Sequence, residues 1–411
     1  MLPLSTHLEH HGPLPRTIFK VVTPEERDSA GWPAERALVW DPDGRRDVSE
    51  IHRDGLPWGG WLTPGDRQRA GLWTGLWVNR VRDPHVIGPG DVIRLRPEGT
   101  QARILYRRGA KANSLFATER CNSLCLMCSQ PPRDANDDWR IAEMLDVVSL
   151  VDHDERNLGI TGGEPTLLGD GLLAVIATCQ TRLPDTALHI LSNGRRFADP
   201  LWTRKTVAVG HQDLTWAIPL YADSPDLHDH IVQAKGAFDE TVHGLYQLAW
   251  WNCRVEIRVV LHRLTVPRLG ALANFIYRNL PFAAHVALMG LEPMGFAKVN
   301  RESLWVDPLD YTDELADACC YLAARGINVS IYNLSLCVLP RDLWQFARQS
   351  ISDWKNSFVP ECGGCGARDR CSGFFASAGR EWRSRGIRPI PPMQDPFPLA
   401  ALSSGDQPKC D

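Results

Sequence analysis

From Ser114 to about Asn333, apolar and polar residues alternate between two periods. Short runs at 114–119, 157–161, 187–191, 214–221, 254–262 and 284–291, rich in aliphatic and β-branched residues, read as strands. Between them apolar residues recur at helical spacing, as in Ile141, Leu145, Val148 and Val151, and again in Leu269, Leu272, Ile276 and Leu280. Six strand–helix units in succession predict an α/β fold with a parallel sheet, either doubly wound or curled into a barrel. The run at 327–332 can extend that sheet. In the fifth strand Val255, Ile257, Val259 and Leu261 alternate with Glu256, Arg258, Val260 and His262. A barrel would turn the first set toward its helices and the second inward.

The flanks follow other patterns. Residues 1–112 hold six of the fifteen tryptophans and no cysteine, and Pro and Gly break them into short apolar runs. Two such runs are 17–22 and 37–40, and strands are expected at 90–95 and 102–106, joined by a turn at Pro97-Glu98-Gly99. These features predict a small, mostly β domain. Its tryptophans (Trp32, Trp40, Trp58, Trp61, Trp73 and Trp77) either fill a core or line a peptide-docking face together with Arg67, Arg69 and Arg80. Residues 334–379 form a cysteine-bearing extension, and 380–411 a Pro-rich tail expected to be irregular and on the surface.

Composition narrows the function classes. The chain has 411 residues, 44% of them apolar, which is enough for a sizeable core. Its 45 Lys and Arg against 49 Asp and Glu leave a net charge of −4, which argues against nucleic acid as a partner. No apolar run is long enough to span a membrane, and Met1-Leu2-Pro3-Leu4-Ser5 lacks the form of a signal peptide, so a cytoplasmic location is expected. In a reducing compartment the twelve cysteines point to metal ligation or catalysis rather than to structural disulfides.

Three of them lie in Thr118-Glu119-Arg120-Cys121-Asn122-Ser123-Leu124-Cys125-Leu126-Met127-Cys128, a C-x3-C-x2-C loop directly after a predicted strand. Three thiolates can hold three corners of an iron–sulfur cubane and leave the fourth iron open to a small molecule. A structural zinc site would want a fourth ligand, although three-cysteine groups also occur in zinc sites. The next strand ends in Gly159-Ile160-Thr161-Gly162-Gly163-Glu164-Pro165-Thr166. There Gly162 and Gly163 let backbone approach a ligand, Glu164 can accept a bond from an ammonium, and Pro165 stiffens the turn. The strand after that ends in Ser192-Asn193-Gly194, a turn signal at the same mouth. Arg258, on the inward face, can pair with a carboxylate. His228, His230 and His243 lack a ligand constellation and read as surface or capping residues.

A second group, Cys362-Gly363-Gly364-Cys365 with Cys371, has the spacing C-x2-C-x5-C, and Cys337 upstream is the candidate fourth ligand. Four cysteines make a closed site for either a [4Fe–4S] cluster or zinc. Cys179, Cys253, Cys319 and Cys320 fall within regular elements and read as core thiols, while Cys410 is a poor competitor for ligation.

The cysteine loop and the Gly162–Pro165 motif together resemble the radical S-adenosylmethionine (radical SAM) superfamily. That resemblance implies a partial (β/α)6 TIM-like barrel and a [4Fe–4S] cluster on Cys121, Cys125 and Cys128. It also implies S-adenosyl-L-methionine chelated to the open iron and cleaved to a 5′-deoxyadenosyl radical. By the same resemblance Gly162 to Pro165 bind the cofactor's amino group, Ser192 and Asn193 its ribose, and the backbone of Met127 its adenine. Members of the superfamily commonly have an aromatic residue where Met127 stands, and a backbone contact tolerates the change. The run Asn113 to Pro132, the block Ile351-Ser352-Asp353-Trp354-Lys355 and Ser372-Gly373-Phe374-Phe375 further resemble the His-Xaa-Ser system radical SAM maturases. This implies a precursor peptide with His-Xaa-Ser repeats as substrate, a second radical SAM maturase and a low-potential electron donor as partners, and a second [4Fe–4S] cluster on Cys337, Cys362, Cys365 and Cys371. The competing readings are a radical enzyme acting on a small molecule or nucleotide, and an iron–sulfur electron carrier.

Overall fold

The computed structural model describes residues 4–14, 16–27, 32–42, 59–63, 75–83, 85–97, 100–350 and 355–392. Trp58, Trp73, Arg67, Arg69, Glu98, Gly99, the block at 351–354 and Cys410 lie outside them. The chain divides into two compact units. One comprises 1–116, 138–158 and 174–186, the other 117–137, 159–173 and 187–411.

The first unit is built on eight short strands: β1 (Ser5–His7), β2 (Glu9–His11), β3 (Ile18–Val22), β4 (Ala37–Trp40), β5 (Gly60–Leu62), β6 (Trp77–Asn79), β7 (Val92–Leu95) and β8 (Gln101–Tyr106). They are ordered β1-β8-β7-β3-β4-β5-β6-β2. β3, β4, β5 and β6 pair parallel with one another, whereas β6 pairs antiparallel with β2 and β7 antiparallel with both β3 and β8. One apolar cluster gathers Leu8, Phe19, Val21, Leu38, Leu62 and Ile93. A second gathers Val22, Val39, Trp61 and Trp77, with Trp32 packed against it. Trp61 and Trp77 are buried and stack 6.3 Å apart, and Trp40 packs half-buried on the first cluster. Trp32, Trp40, Trp61 and Trp77, the described ones of the six, therefore serve the core, where their large apolar area is removed from water.

This unit also takes in helix α1 (Trp139–Val148). Its buried face is Arg140, Met144, Val147 and Val148, one position round from the spacing expected, and Val151 lies beyond its end. Lys20, fully buried, is held by Asp152 at 2.9 Å and lies 4.7 Å from the ring centre of Trp32. Removal from water pushes its pKa down, against the pull of the Asp152 carboxylate.

Strand β9 (Asn113–Phe116) leads into the cysteine loop. After it come β10 (Asn157–Thr161), β11 (Ala187–Leu191), β12 (Leu214–Pro219), β13 (Arg254–Leu261), β14 (His285–Gly290), β15 (Val329–Tyr332) and β16 (Ala347–Arg348). Strands β10 to β16 are hydrogen-bonded in chain order, and the pairings from β11 to β16 are parallel. Between them run α2 (Asp170–Arg182), α3 (Pro200–Val207), α4 (Pro225–Val232), α5 (Ala237–Trp250), α6 (Leu269–Asn279) and α7 (Thr312–Ala323). This is an α/β fold with a parallel sheet. It has one short strand more than expected, because β16 from the C-terminal extension joins the sheet edge.

Along β13, Val255, Ile257, Val259 and Leu261 are buried at 0–1% exposure. The opposite face carries a polar network drawn from several strands. Glu256 meets His285 Nδ1 at 2.8 Å, His189 at 3.6 Å and Arg258 at 3.2 Å, and His285 Nε2 meets Ser330 at 3.0 Å. Burial by itself would raise the Glu256 pKa, but these partners hold it well below the usual carboxylate range.

Candidate functional site

The cysteine loop begins where β9 ends and is tied down by main-chain bonds. Gly163 N donates to Thr118 O at 2.7 Å and Glu164 N to Arg120 O at 2.8 Å. Leu124 N and Leu126 N donate to Val232 O and Ile231 O at the end of α4, and Phe296 N donates to Cys128 O at 2.8 Å. Cys121, Cys125 and Cys128 are all unbonded and partly buried. Burial pushes the Cys121 thiol up to about 11 and Cys125 up to about 12, and each is raised further by neighbouring thiols, Cys128 among them. Such thiols stay protonated until a metal displaces the proton. The loop brings the three thiols into one neighbourhood, although among the described residues no three such side chains converge tightly enough for one metal ion.

The sequence reading gives Gly162 and Gly163 a role toward a ligand, whereas their surroundings here are protein backbone. A Cβ on Gly163 would lie 2.1 Å from Arg120 O, and one on Gly162 would lie 2.6 Å from Thr118 O. The two glycines let the motif pack directly against the cysteine loop. Glu164 is 1% exposed. Its Oε1 accepts from Thr166 N at 3.0 Å, Thr166 Oγ1 at 2.7 Å and Ser192 Oγ at 2.8 Å, and its Oε2 accepts from Asn193 N at 2.6 Å. Burial raises its pKa against those four donors. Pro165 opens the one-turn helix that follows, where Glu164 is the cap.

Ser192 and Asn193 are brought to the same place. The Ser192 hydroxyl is committed to Glu164, and Asn193 Nδ2 donates to Asn122 Oδ1 at 2.6 Å. Met127 is buried in a cluster with Tyr221, Ile231 and Leu291. Arg258 is half-buried, with Nη1 on Glu256 and Nη2 3.2 Å from Met289 Sδ. Burial and the three cysteines raise the Tyr221 pKa while Arg258 lowers it, so the phenol senses both the cysteines and the arginine.

Several residues that shape this site escaped the sequence reading. Asp137, 3% exposed, accepts from Thr118 Oγ1 at 2.8 Å and Glu119 N at 2.6 Å, and pairs with Arg120 at 3.2 Å. Arg195 donates to Asn122 O and to Ser123 Oγ. Asn300 Nδ2 holds Leu126 O at 2.8 Å. None belongs to a motif, and only the arginine next to Ser192-Asn193-Gly194 could have been flagged by position. His228 is corrected: it is buried, not on the surface, because its Nδ1 accepts from Tyr221 N at 3.2 Å and its ring stacks on Tyr221. His230 and His243 are exposed, as expected.

Cys337, Cys362, Cys365 and Cys371 line one cavity, whose empty volume is about 310 Å³ including its mouth. Leu336 N and Gly373 N point at Cys371 Sγ, at 3.3 and 3.4 Å, and Ile390 N points at Cys365 Sγ at 3.3 Å. Among the described residues no three His, Cys, Asp or Glu side chains converge tightly enough for one metal ion. The four thiols ring a space instead. Of the stretch expected to be an irregular surface tail, 387–392 are described as irregular and mostly at the surface, although a few residues from 380 on pack inward. Ile390 packs on this site, a Cβ on Gly366 would meet Pro392 at 2.6 Å, and Trp382 is 6% exposed. Cys179 and Cys319 are buried thiols, but Cys320 is in a disulfide. It stands one residue past Cys319 on α7, about 100° round the helix from the core face.

Among the described residues no helix is long and apolar enough to cross a membrane. No protein-family model matches the chain, and no curated protein sequence matches it. Among solved structures it is similar to SuiB of Streptococcus suis bound to S-adenosylmethionine, with 16% identity over 56% of this chain and 51% of SuiB and a TM-score of 0.42. It is similar to anSMEcpe with bound AdoMet, with 14% identity over 54% of this chain and 60% of the other and a TM-score of 0.41. It is also similar to a radical SAM methyltransferase from Sphaerobacter thermophilus, with 17% identity, coverage of 59% and 68%, and a TM-score of 0.38. The chain spans about half the length of SuiB.

Proposed function

We propose that this chain is a radical SAM enzyme that modifies a ribosomally made peptide of the His-Xaa-Ser type. The observation that carries the reading is the gathering of Cys121, Cys125 and Cys128 on one loop whose backbone is locked to Gly163 and Glu164. The donor set fits a [4Fe–4S] cluster, with three thiols for three irons and no fourth cysteine on the loop. When bound, the cluster with S-adenosylmethionine supplies a 5′-deoxyadenosyl radical.

The chain's own residues would hold and orient that chemistry. Glu164 Oε1 already takes three donors, but Oε2 takes one and keeps a lone pair for the cofactor's ammonium. The guanidinium of Arg258 would face the cofactor's carboxylate, steadied by Glu256. Asn193 and the Met127 backbone would border the nucleoside. Cys337, Cys362, Cys365 and Cys371 would hold a second [4Fe–4S] cluster, which suits four thiols around a cavity better than zinc does. A low-potential donor would feed electrons, and a second radical SAM maturase would act beside this one.

The test is anaerobic reconstitution. Two cubanes give about eight irons per chain, and replacing Cys121, Cys125 and Cys128 by Ala leaves about four. The reduced protein should form 5′-deoxyadenosine and change the mass of a peptide with His-Xaa-Ser repeats. No 5′-deoxyadenosine from the iron-loaded protein would end the reading. About four irons plus zinc in the unaltered protein would remove the second cluster.

A further inference from the structure

The stretch between Cys121 and Cys125 is gripped by the turn that ends β11. Asn193 Nδ2 donates to Asn122 Oδ1 at 2.6 Å. Arg195 Nη1 donates to Asn122 O, and to Ser123 Oγ at 3.1 Å. The same guanidinium is held from behind, where its Nε meets Glu240 Oε2 of α5 at 2.5 Å. The Arg195 side chain is 13% exposed and that of Glu240 46%. Solvent therefore screens the carboxylate more than the guanidinium, and the neutralisation of Arg195 is partial. A positive charge is left beside the residues that separate two of the three cysteines.

The turn that carries Arg195 is itself fixed by α5. Thr241 Oγ1 donates to Asn193 O at 3.1 Å, and a Cβ on Gly244 would lie 2.2 Å from Gly194 O. Glu240, Thr241 and Gly244 share one face of the helix. A single helix face thus sets the turn and the arginine together. Arginine suits the task, because its planar fork can serve several acceptors at once in one geometry.

We propose that Arg195 is the positioning residue of the cluster that Cys121, Cys125 and Cys128 would hold, and that its charge favours the reduced form of that cluster. Its fork fixes the chain between the first two ligands. Reduction takes one electron from the low-potential donor named above and adds one negative charge to a cluster that thiolates already make anionic. A cation held nearby stabilises that state more than the oxidised one and so raises the potential, and the effect is larger where water is scarce. The proposal rests on the radical SAM reading above.

The test uses the full-length protein and three variants. Arg195→Met keeps the stem and loses both fork and charge, Arg195→Lys keeps the charge alone, and Glu240→Gln leaves Arg195 in place without its counter-charge. In the metal-free protein, hydrogen exchange of the peptide spanning 121–128 should be about tenfold faster in Arg195→Met, since bonds from a charged donor are lost, and less accelerated in Arg195→Lys. In the reconstituted protein, the paramagnetic signal that changes on adding S-adenosylmethionine is followed through a redox titration. Its potential should fall in Arg195→Met, return to the wild-type value in Arg195→Lys and rise in Glu240→Gln. Equal potentials in wild type and Arg195→Met would overturn the proposal, as would wild-type exchange at 121–128 in Arg195→Met. A fall or no change in Glu240→Gln would overturn it without Arg195 being replaced. A wild-type protein with no signal sensitive to S-adenosylmethionine would sink the radical reading itself. A wild type that shows the signal, with variants that match it, would sink this proposal alone.

Discussion

Replacing Gly163 by Ala isolates the contact that joins the cysteine loop to the strand end beside it. The added Cβ would stand 2.1 Å from Arg120 O, 2.7 Å from Arg120 C and 3.1 Å from Glu119 O. All three are backbone atoms, so no side chain can swing away. Relief needs a main-chain shift of about 1 Å to reach ordinary contact distances, and Arg120 is bonded to Cys121. Overpacking of this kind typically costs about 1–3 kcal/mol. The bonds from Glu164 N to Arg120 O and from Gly163 N to Thr118 O would stretch with it, at about 1 kcal/mol each. The sum is about 3–5 kcal/mol, directed at the three-cysteine loop. Urea unfolding should show that loss, and reconstituted iron should fall toward half the wild-type content while the second cysteine group keeps its share. Gly270→Ala is the control: it lies on α6 with nothing within 4 Å of a new Cβ, so it should change stability by at most about 1 kcal/mol, in the stabilising direction. Wild-type iron content in Gly163→Ala, with stability within about 0.5 kcal/mol of wild type, would refute the steric argument.

Asp137→Asn should cost about 2–3 kcal/mol, because the buried Asp137 charge serves Thr118, Glu119 and Arg120 at once. It should also lower iron retention at Cys121, Cys125 and Cys128, and full retention after gel filtration would show that the loop needs no such anchor. Burial lowers the pKa of His228 to about 4 and of His262 to about 3. The unfolded chain therefore takes up protons that the folded one refuses, and stability is lost as pH falls below about 6.5. Each histidine should contribute about 1.4 kcal/mol per pH unit between about pH 6 and pH 4.5. Denaturant midpoints across that range should show His262→Gln removing about half of the two-histidine slope, and an unchanged slope would mean that His262 is protonated in the folded state.

Much of the parallel sheet was readable from local pattern, since strand formation at 157–161 and 187–191 depends on short apolar runs bounded by turn residues. The nearness of cysteines within each group was readable for a similar reason, because residues on one short loop are close in space whatever the fold does. The alternation in β13 also foretold which face would be polar, but not that Glu256 would meet histidines from β11 and β14. What the linear order could not show is contact between distant segments. Gly163 reads as a residue freed for a ligand until Arg120 O is seen where its Cβ would be. Asp137 is one acid among many until folding sets it under Thr118 and Glu119. Ile390, in a stretch that composition marks as tail, packs over Cys365, and one cavity joins residues from β13 to Trp382. Local propensity and spacing determined the elements and which cysteines stand near one another. Burial and close packing between segments far apart in the chain decided which backbone must be glycine and which carboxylates are spent on internal partners.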